Sequence, residues 1–175
     1  MNKLERPQKV RTTMTQRLQY AELAPEGLAA MRAVEHYANT ATALDPTLLE
    51  LVRLRASLLN GCEYCIGLHT HELTKHNETP DRIAQLATWQ TSSAYTERER
   101  AALAWTEAIT NIQDGHASDE AYAQIRQHFD EVDLVNLTLA ISSINAWNRM
   151  AIAFRAEKRR VSPAAPPAPQ KAENK

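Results

Sequence analysis

The chain has 175 residues, a length that suits one domain with an interior large enough for a hydrophobic core. Its formal charge is -1 at pH 7, so no whole-protein field attracts nucleic acid or an anionic membrane surface. No apolar run approaches the roughly 20 residues that cross a bilayer, and the amino-terminal segment lacks the apolar stretch of a secretory signal. We therefore expect a cytoplasmic protein with neither nucleic-acid nor membrane partners.

The first half of the chain carries clear signals for helix starts and ends. Pro25 suits the first turn of a helix over residues 26–39, and Asp45–Pro46 begins a second helix that runs to about residue 59. Asn60–Gly61 ends that helix, because both residue types accept the left-handed conformation. A third helix opens at Cys62 and runs to about residue 75 or 77.

The second half continues in the same way. Thr79–Pro80 starts a short helix over residues 80–89, and Thr96 followed by Glu99 is a capping-box pattern for a helix over 97–112. Further helices are predicted over 119–129 and 131–157. No segment has a convincing strand pattern, and the chain has only 4 glycines. The predicted fold class is therefore all-α, an antiparallel helical bundle.

The two ends differ from the middle of the chain in composition. Residues 1–24 are polar with sparse apolar positions and are predicted to form an amino-terminal arm before a domain over residues 25–157. Residues 162–175 contain four prolines and no large apolar residue. We therefore expect the tail over residues 158–175 to be disordered.

The only two cysteines, Cys62 and Cys65, lie three positions apart. A disulfide between them would close a very small loop and restrict the unfolded chain little, so a structural role is not expected. In a reducing compartment such a pair is more often reactive or metal-binding. Their place at a helix start also favours the thiolate, since unpaired backbone N–H groups and the helix dipole stabilise negative charge there.

Two further residues suit proton transfer beside this pair. Cys62, Cys65 and His69 fall within an arc of about 60° on one helix face, so the imidazole of His69 can accept a thiol proton. Glu50 lies on the preceding helix, which folds back beside this one across a short turn, and its carboxylate could orient His69 and raise its basicity. Without that context, Glu50 would be an ordinary solvated partner for Arg53 or Arg55.

These residues also carry a family resemblance. Glu50, eleven intervening residues, and then the pattern Cys62-x-x-Cys65-x-x-x-His69 resemble the motif of the alkylhydroperoxidase D family, in the carboxymuconolactone decarboxylase-like superfamily. The segments 55–62 (RASLLNGC) and 145–149 (NAWNR) are similar to that family as well. The resemblance covers roughly residues 20–156, and the combined pattern is far more specific than a Cys-x-x-Cys pair alone.

The resemblance implies an all-α fold of the alkylhydroperoxidase D-like type and a homo-oligomer, either a trimer or a hexamer. It implies reduction of a small-molecule hydroperoxide with no cofactor or metal, followed by regeneration by an external thiol or a disulfide-reductase donor. By matching positions, Cys65 resembles the cysteine that attacks the peroxide. Cys62 resembles the partner that donates a proton and closes the disulfide, and Glu50 and His69 resemble the proton relay.

One position departs from the family pattern. The best-known members have a histidine where this chain has Tyr64, and a tyrosine is a poor proton acceptor at neutral pH. Tyr64, Asn145, Trp147 and Asn148 are candidate pocket residues, although packing explains the last three equally well. True carboxymuconolactone decarboxylases lack the cysteine pair, so lactone decarboxylation is not expected.

Four other interpretations stay open at this point. Cys62, Cys65 and His69 could bind zinc if a fourth ligand exists, or the cysteines could simply be small buried residues. The pair could exchange disulfides with a protein partner and have no peroxidase activity. The chain could also be a non-enzymatic redox-sensing or structural oligomer.

Overall fold

A computed structural model describes residues 15–157, and over that range the protein is helical with no strand. This confirms the all-α fold class. The first fourteen residues of the predicted arm and the predicted tail, residues 158–175, lie outside the described range. The helices are α1 (Tyr20–Leu23), α2 (Pro25–Thr40), α3 (Pro46–Asn60), α4 (Glu63–Lys75), α5 (Pro80–Gln85), α6 (Glu97–Thr110), α7 (Asp119–Ile125) and α8 (Glu131–Phe154), with a 3₁₀ segment (Leu86–Thr91) after α5.

Most helix starts follow the signals in the sequence. The Asp45 side chain accepts from the N–H of Leu48 at 3.0 Å, which satisfies a free donor in the first turn of α3. Thr96 and Glu99 form the predicted capping box at the start of α6. Gly61 has a φ of 66° and ends α3 in the left-handed conformation, as its position predicts.

Several helix bounds differ from the predicted ones. The helix predicted over 80–89 stops at Gln85 and continues as the 3₁₀ segment, in which Thr88 has a non-helical ψ of 36°. The helices predicted to reach 112, 129 and 157 end at Thr110, Ile125 and Phe154. Near the last of these, Arg155 adopts a left-handed φ of 54°, which stops α8. Packing between distant segments, which periodicity cannot show, sets these ends.

Helix α3 lies at the centre of the bundle and packs against α4, α6 and α8. Its residues are buried on most sides, and Leu51 and Val52 are fully buried. A helix enclosed in this way has its side chains fixed by neighbours on several helices. No helix within residues 15–157 is long and apolar enough to cross a membrane.

The described part of the arm packs against the end of α8. The backbone N–H of Arg17 donates to the carbonyl oxygen of Phe154 at 2.9 Å, and the Arg17 guanidinium donates to the carbonyl of Ala153 at 3.0 Å. The rings of Tyr20 and Phe154 lie 5.4 Å apart between centroids. These contacts bring residues 15–23 alongside α8, next to the turn between α3 and α4 that carries the cysteines.

Truncation of Leu137 tests the packing of α8 against this core. Leu137 is fully buried in the cluster between α3, α6 and α8. We expect Leu137→Ala to lower the free energy of unfolding by about 2–5 kcal/mol, because the substitution leaves a cavity that the bundle fills only in part. Chemical denaturation followed by circular dichroism measures the change. Leu23→Ala is the control, since Leu23 is 69% exposed, and a change below about 0.5 kcal/mol is expected there.

Candidate active site

The two cysteines occupy the turn between α3 and α4. Gly61 reverses the chain, and Cys62 then caps α4, which begins at Glu63, one residue after the helix start that the sequence predicts. The backbone N–H of Cys65 donates to the sulfur of Cys62 at 3.4 Å. Both cysteines are buried free thiols. The sulfur of Cys62 therefore occupies the position that a serine or aspartate oxygen holds in an ordinary helix cap.

The two thiols have very different acidities. A hydrogen bond from the Cys65 thiol lowers the pKa of Cys62 to about 7, against burial, which raises it. Backbone N–H groups of Cys65 and Tyr64 and the side chain of Asn148 lower that pKa further. The pKa of Cys65 is raised, first by its hydrogen bond to Cys62 and then by burial. Near neutral pH the pair therefore shares one negative charge, centred on Cys62, and one proton, held by Cys65.

His69 and Glu50 contact each other across the α3–α4 interface. The Nδ1 atom of His69 lies 2.8 Å from Oε2 of Glu50, and both side chains are buried. An ionised carboxylate can only accept, so Nδ1 carries the hydrogen and Nε2 is the ring nitrogen left for other partners. His69 is one helical turn beyond Cys65 on α4, and both residues line the same pocket.

The guanidinium group of Arg53 binds the other oxygen of Glu50. Arg53 donates to Oε1 of Glu50 at 2.5 Å and to the side-chain oxygen of Asn39 at 2.7 Å. Burial raises the pKa of Glu50, but the hydrogen bond and charge of His69 and those of Arg53 outweigh it, so the net pKa is lowered. The carboxylate is thus charged at neutral pH. Arg53 is its partner as one sequence interpretation allowed, although buried rather than solvated, whereas Arg55 pairs with Glu107.

Amide side chains connect the cysteine turn to α8. Asn60 donates to the side-chain oxygens of both Asn145 and Asn148 at 2.9 Å. Asn148 donates in turn to Ser57 at 3.1 Å, and Asn145 donates to Thr110 at 3.0 Å. Asn145 and Asn148 therefore hold α8 against α3 and α6 and do not line the pocket. Asn148 also lowers the pKa of both cysteines through hydrogen bonding.

A pocket of about 430 Å³ opens onto Cys65 and His69. The candidate residues Tyr64 and Trp147 line it, whereas Cys62 and Glu50 lie behind its wall. The sequence interpretation missed several of its walls, because they come from segments far away in the chain with no motif of their own. The complete lining is Tyr20, Ala21, Leu28, Arg32, Glu35, Tyr64, Cys65, Leu68, His69, Ile144, Trp147 and Ala151.

Tyr20 illustrates how close the arm comes to the reactive pair. Its pKa is raised, first by burial and then by the negative charges of Tyr64, Cys65 and Cys62 when those groups ionise. Nothing in the composition of residues 1–24 indicates that a tyrosine from this segment lines the same pocket as Cys65.

The zinc interpretation requires ligands beyond the two sulfurs and one imidazole. Among the residues that the structure describes, no group of three or more His, Cys, Asp and Glu side chains is arranged to hold a metal ion. His69 uses Nδ1 on Glu50. The donor set expected for a tetrahedral zinc site is therefore not assembled around Cys62 and Cys65 in residues 15–157.

Comparisons with known proteins identify the family and the fold. A model of the Carboxymuconolactone decarboxylase family matches residues 25–108. The uncharacterised protein YdfG of Bacillus subtilis is 41% identical over 141 residues, which cover 81% of this chain and 95% of that protein.

Two solved structures have a similar fold. One is a protein of unknown function from Agrobacterium tumefaciens, provisionally named as the antioxidant defence protein AhpD. It is 37% identical with a TM-score of 0.79, over 82% of this chain and 97% of that one. The other is an uncharacterised peroxidase-related protein from Ralstonia eutropha, described as an alkylhydroperoxidase AhpD core. It is 20% identical with a TM-score of 0.70, over 81% of this chain and 75% of that one, and shows the fold alone.

The unequal acidity of the thiols predicts a simple titration. The ultraviolet absorbance of thiolate should rise with a midpoint at a pH of about 7, since the lowered pKa of Cys62 makes the charged form dominant above that pH. We expect Cys65→Ala to shift the midpoint upward, toward the ordinary cysteine value of about 8.5, because the strongest stabilising contact is lost. Cys62→Ala should remove the neutral titration step. A neutral step that survives in Cys62→Ala would place the charge on Cys65 instead.

Proposed function

This chain belongs to the carboxymuconolactone decarboxylase family and has the alkylhydroperoxidase D-like fold, and from this premise we propose that it is a thiol-dependent peroxidase. The reactive groups would be the Cys62–Cys65 pair, with Glu50 and His69 as the proton relay. The observation that carries the proposal is a pocket that reaches Cys65 and His69, with a second free thiol, Cys62, bonded to the backbone N–H of Cys65. The substrate would be a small-molecule hydroperoxide.

The first step requires charge on the sulfur that faces the pocket. Moving the shared proton from Cys65 to Cys62 places the thiolate on Cys65 without changing the net charge of the pair. The imidazole of His69, paired with the ionised Glu50, would stabilise that anion when protonated. Cys62 is then a neutral thiol that can return the proton.

The redox chemistry balances with these groups. The Cys65 thiolate attacks the terminal oxygen of the hydroperoxide, an S–O bond forms, the O–O bond breaks, and the electron pair leaves on the alkoxide. The alkoxide takes the proton from Cys62 and departs as the alcohol. The Cys62 thiolate then attacks the sulfenic acid sulfur of Cys65, the disulfide forms, and the hydroxide that leaves takes a proton from His69 to become water.

An external reductant must complete the cycle. The two thiols have given two electrons to the peroxide and are now a disulfide. An external dithiol or a disulfide reductase would reduce this disulfide by thiol–disulfide exchange. Tyr64 stands where the best-known family members have a second histidine, and a neutral phenol accepts protons poorly. We infer that His69 is the one imidazole that takes part in proton transfer at this site.

The burial of the thiols favours a small substrate over a protein disulfide. Cys62 is 2% exposed and Cys65 is 3% exposed. Disulfide exchange with a folded protein requires in-line approach of another sulfur, so the walls of the pocket must move for that reaction, as they must when a protein reductase regenerates the thiols. A small hydroperoxide needs only to enter the pocket, so the peroxidase proposal requires less rearrangement of the site.

Stoichiometric peroxide tests the proposal directly. We expect one equivalent of cumene hydroperoxide to convert both free thiols of the reduced protein into an intramolecular disulfide, which thiol titration and mass spectrometry detect. Cys62→Ser should stop at a sulfenic acid on Cys65 that dimedone traps, because the condensing thiol is missing. Cys65→Ser should leave the peroxide unconsumed. Survival of both thiols in folded wild-type protein would refute the proposal.

The relay predicts a difference between two glutamates. Glu50→Gln should slow the reaction of the reduced protein with peroxide by roughly 10- to 100-fold, because the neutral amide no longer stabilises a charged His69. Glu72→Gln on the outside of α4, where Glu72 pairs with Lys75, is the matched control and should react at the wild-type rate. Stopped-flow measurement on variants whose circular dichroism matches wild type gives both rates. Equal rates for the two variants would exclude the relay.

A further inference from the structure

The three tryptophans of the chain differ in what their indole N–H groups contact. Trp89 donates to a carboxylate oxygen of Glu107 at 2.6 Å, and Trp105 donates to the hydroxyl of Thr138 at 2.9 Å. Nε1 of Trp147 is the one buried side-chain nitrogen or oxygen atom within residues 15–157 that has no hydrogen-bonding partner. A buried donor without an acceptor costs folding free energy, so its retention needs an explanation.

Trp147 lies in the wall of the pocket that contains the reactive thiol. On α8 it is one turn from Ile144 and from Ala151, and all three line the pocket together with Cys65. Trp147 also packs against the buried cluster that contains Cys65. The unpartnered donor therefore belongs to a side chain that lines the same space as the attacking sulfur, and Nε1 itself stays covered until the indole ring turns.

The residues that line the pocket indicate which kind of ligand would accept a hydrogen bond from this donor. Leu28, Leu68, Ile144 and Ala151 give part of the pocket an apolar surface, which suits an organic group. Arg32 and Glu35 also line the pocket, and their opposite charges favour neither an anion nor a cation. At its reactive end, His69 has Nδ1 committed to Glu50. With Nδ1–H held by Glu50, the neutral imidazole presents Nε2 as an acceptor and donates to a ligand oxygen only when it is protonated. The indole N–H of Trp147 is a donor in either state of His69 and carries no charge.

We propose that the Trp147 Nε1–H group donates a hydrogen bond to an oxygen of the bound substrate. The pocket then selects uncharged organic molecules in which an apolar body carries an acceptor oxygen next to the atom that Cys65 attacks. The identity of that oxygen as part of a hydroperoxide rests on the proposed function, whereas the hydrogen bond itself does not. Trp147 is in this view a binding residue that sets specificity, and the indole ring packs on the apolar body.

An alcohol that cannot react with thiols tests the binding separately from the chemistry. Reduced protein with isotope-labelled indole nitrogens is titrated with cumyl alcohol, the product expected from cumene hydroperoxide, and the indole N–H resonances are followed by NMR. The resonance that Trp147→Phe removes identifies Trp147. We expect it to move downfield with added alcohol, while the resonances of Trp89 and Trp105 stay in place because both are already bonded.

Trp147→Phe also separates a ligand-binding role from a structural one. The variant keeps an aromatic ring but loses the donor, and a circular dichroism spectrum that matches wild type shows that the fold is kept. Its Kd for cumyl alcohol and its KM for cumene hydroperoxide should rise roughly three- to ten-fold, the loss of about one hydrogen bond.

Each contrary result overturns the inference. An unmoved Trp147 resonance, whether cumyl alcohol binds or not, would remove the proposed contact, as would equal Kd values for wild type and variant. Failure of the peroxidase proposal looks different: both thiols survive peroxide, while the Trp147 resonance still responds to the alcohol.

Discussion

A charged carboxylate enclosed between two helices is the constraint on which the site depends. Removing Glu50 from water is unfavourable unless each oxygen has a partner, and the structure provides Arg53 on one side and His69 on the other. Since Arg53 also reaches Asn39, three helices meet at this carboxylate: α2, α3 and α4. The orientation of His69, and through it the surroundings of Cys65, therefore follows from how the centre of the bundle satisfies one buried charge.

The cysteine turn solves a related problem with a different group. The sulfur of Cys62 takes the place of a capping oxygen at the start of α4 and is held by the N–H of Cys65 and by Asn148. The helix cap and the acidity of the Cys62 thiol thus have one cause, because the N–H groups that bond to the sulfur at the start of α4 also stabilise its negative charge. Cys65, one turn into the helix, keeps its proton but faces the pocket. The sulfur that lines the pocket is thus Cys65, whereas the more acidic thiol is Cys62. In the proposed reaction a proton must therefore move from Cys65 to Cys62 before Cys65 can attack.

The features that local chemistry encodes could be predicted from the sequence, and those that depend on distant segments could not. Gly61 and Asp45 have direct steric and hydrogen-bonding reasons to sit at helix ends, and the three-residue and four-residue spacings brought Cys65 and His69 to one face. The contact between Glu50 and His69 needed only a short turn between adjacent helices. Tyr20 and Arg32, by contrast, line the pocket through tertiary packing and have no signature in the chain around them. Asn145 and Asn148 were placed near the site, but whether they would face a ligand or a neighbouring helix depends on rotations of α8 that periodicity does not determine.

The contact between residues 15–23 and the last turn of α8 has a practical consequence for anyone shortening this protein. Gln16 donates from its backbone N–H to the side chain of Glu157 at 3.1 Å, and Arg17 is bonded to Phe154. The segment before α1 and the segment after α8 thus hold each other in place near the thiols. Trimming either end for crystallisation or display would remove contacts that hold the other, and with them the support of Tyr20, which lines the pocket beside Cys65.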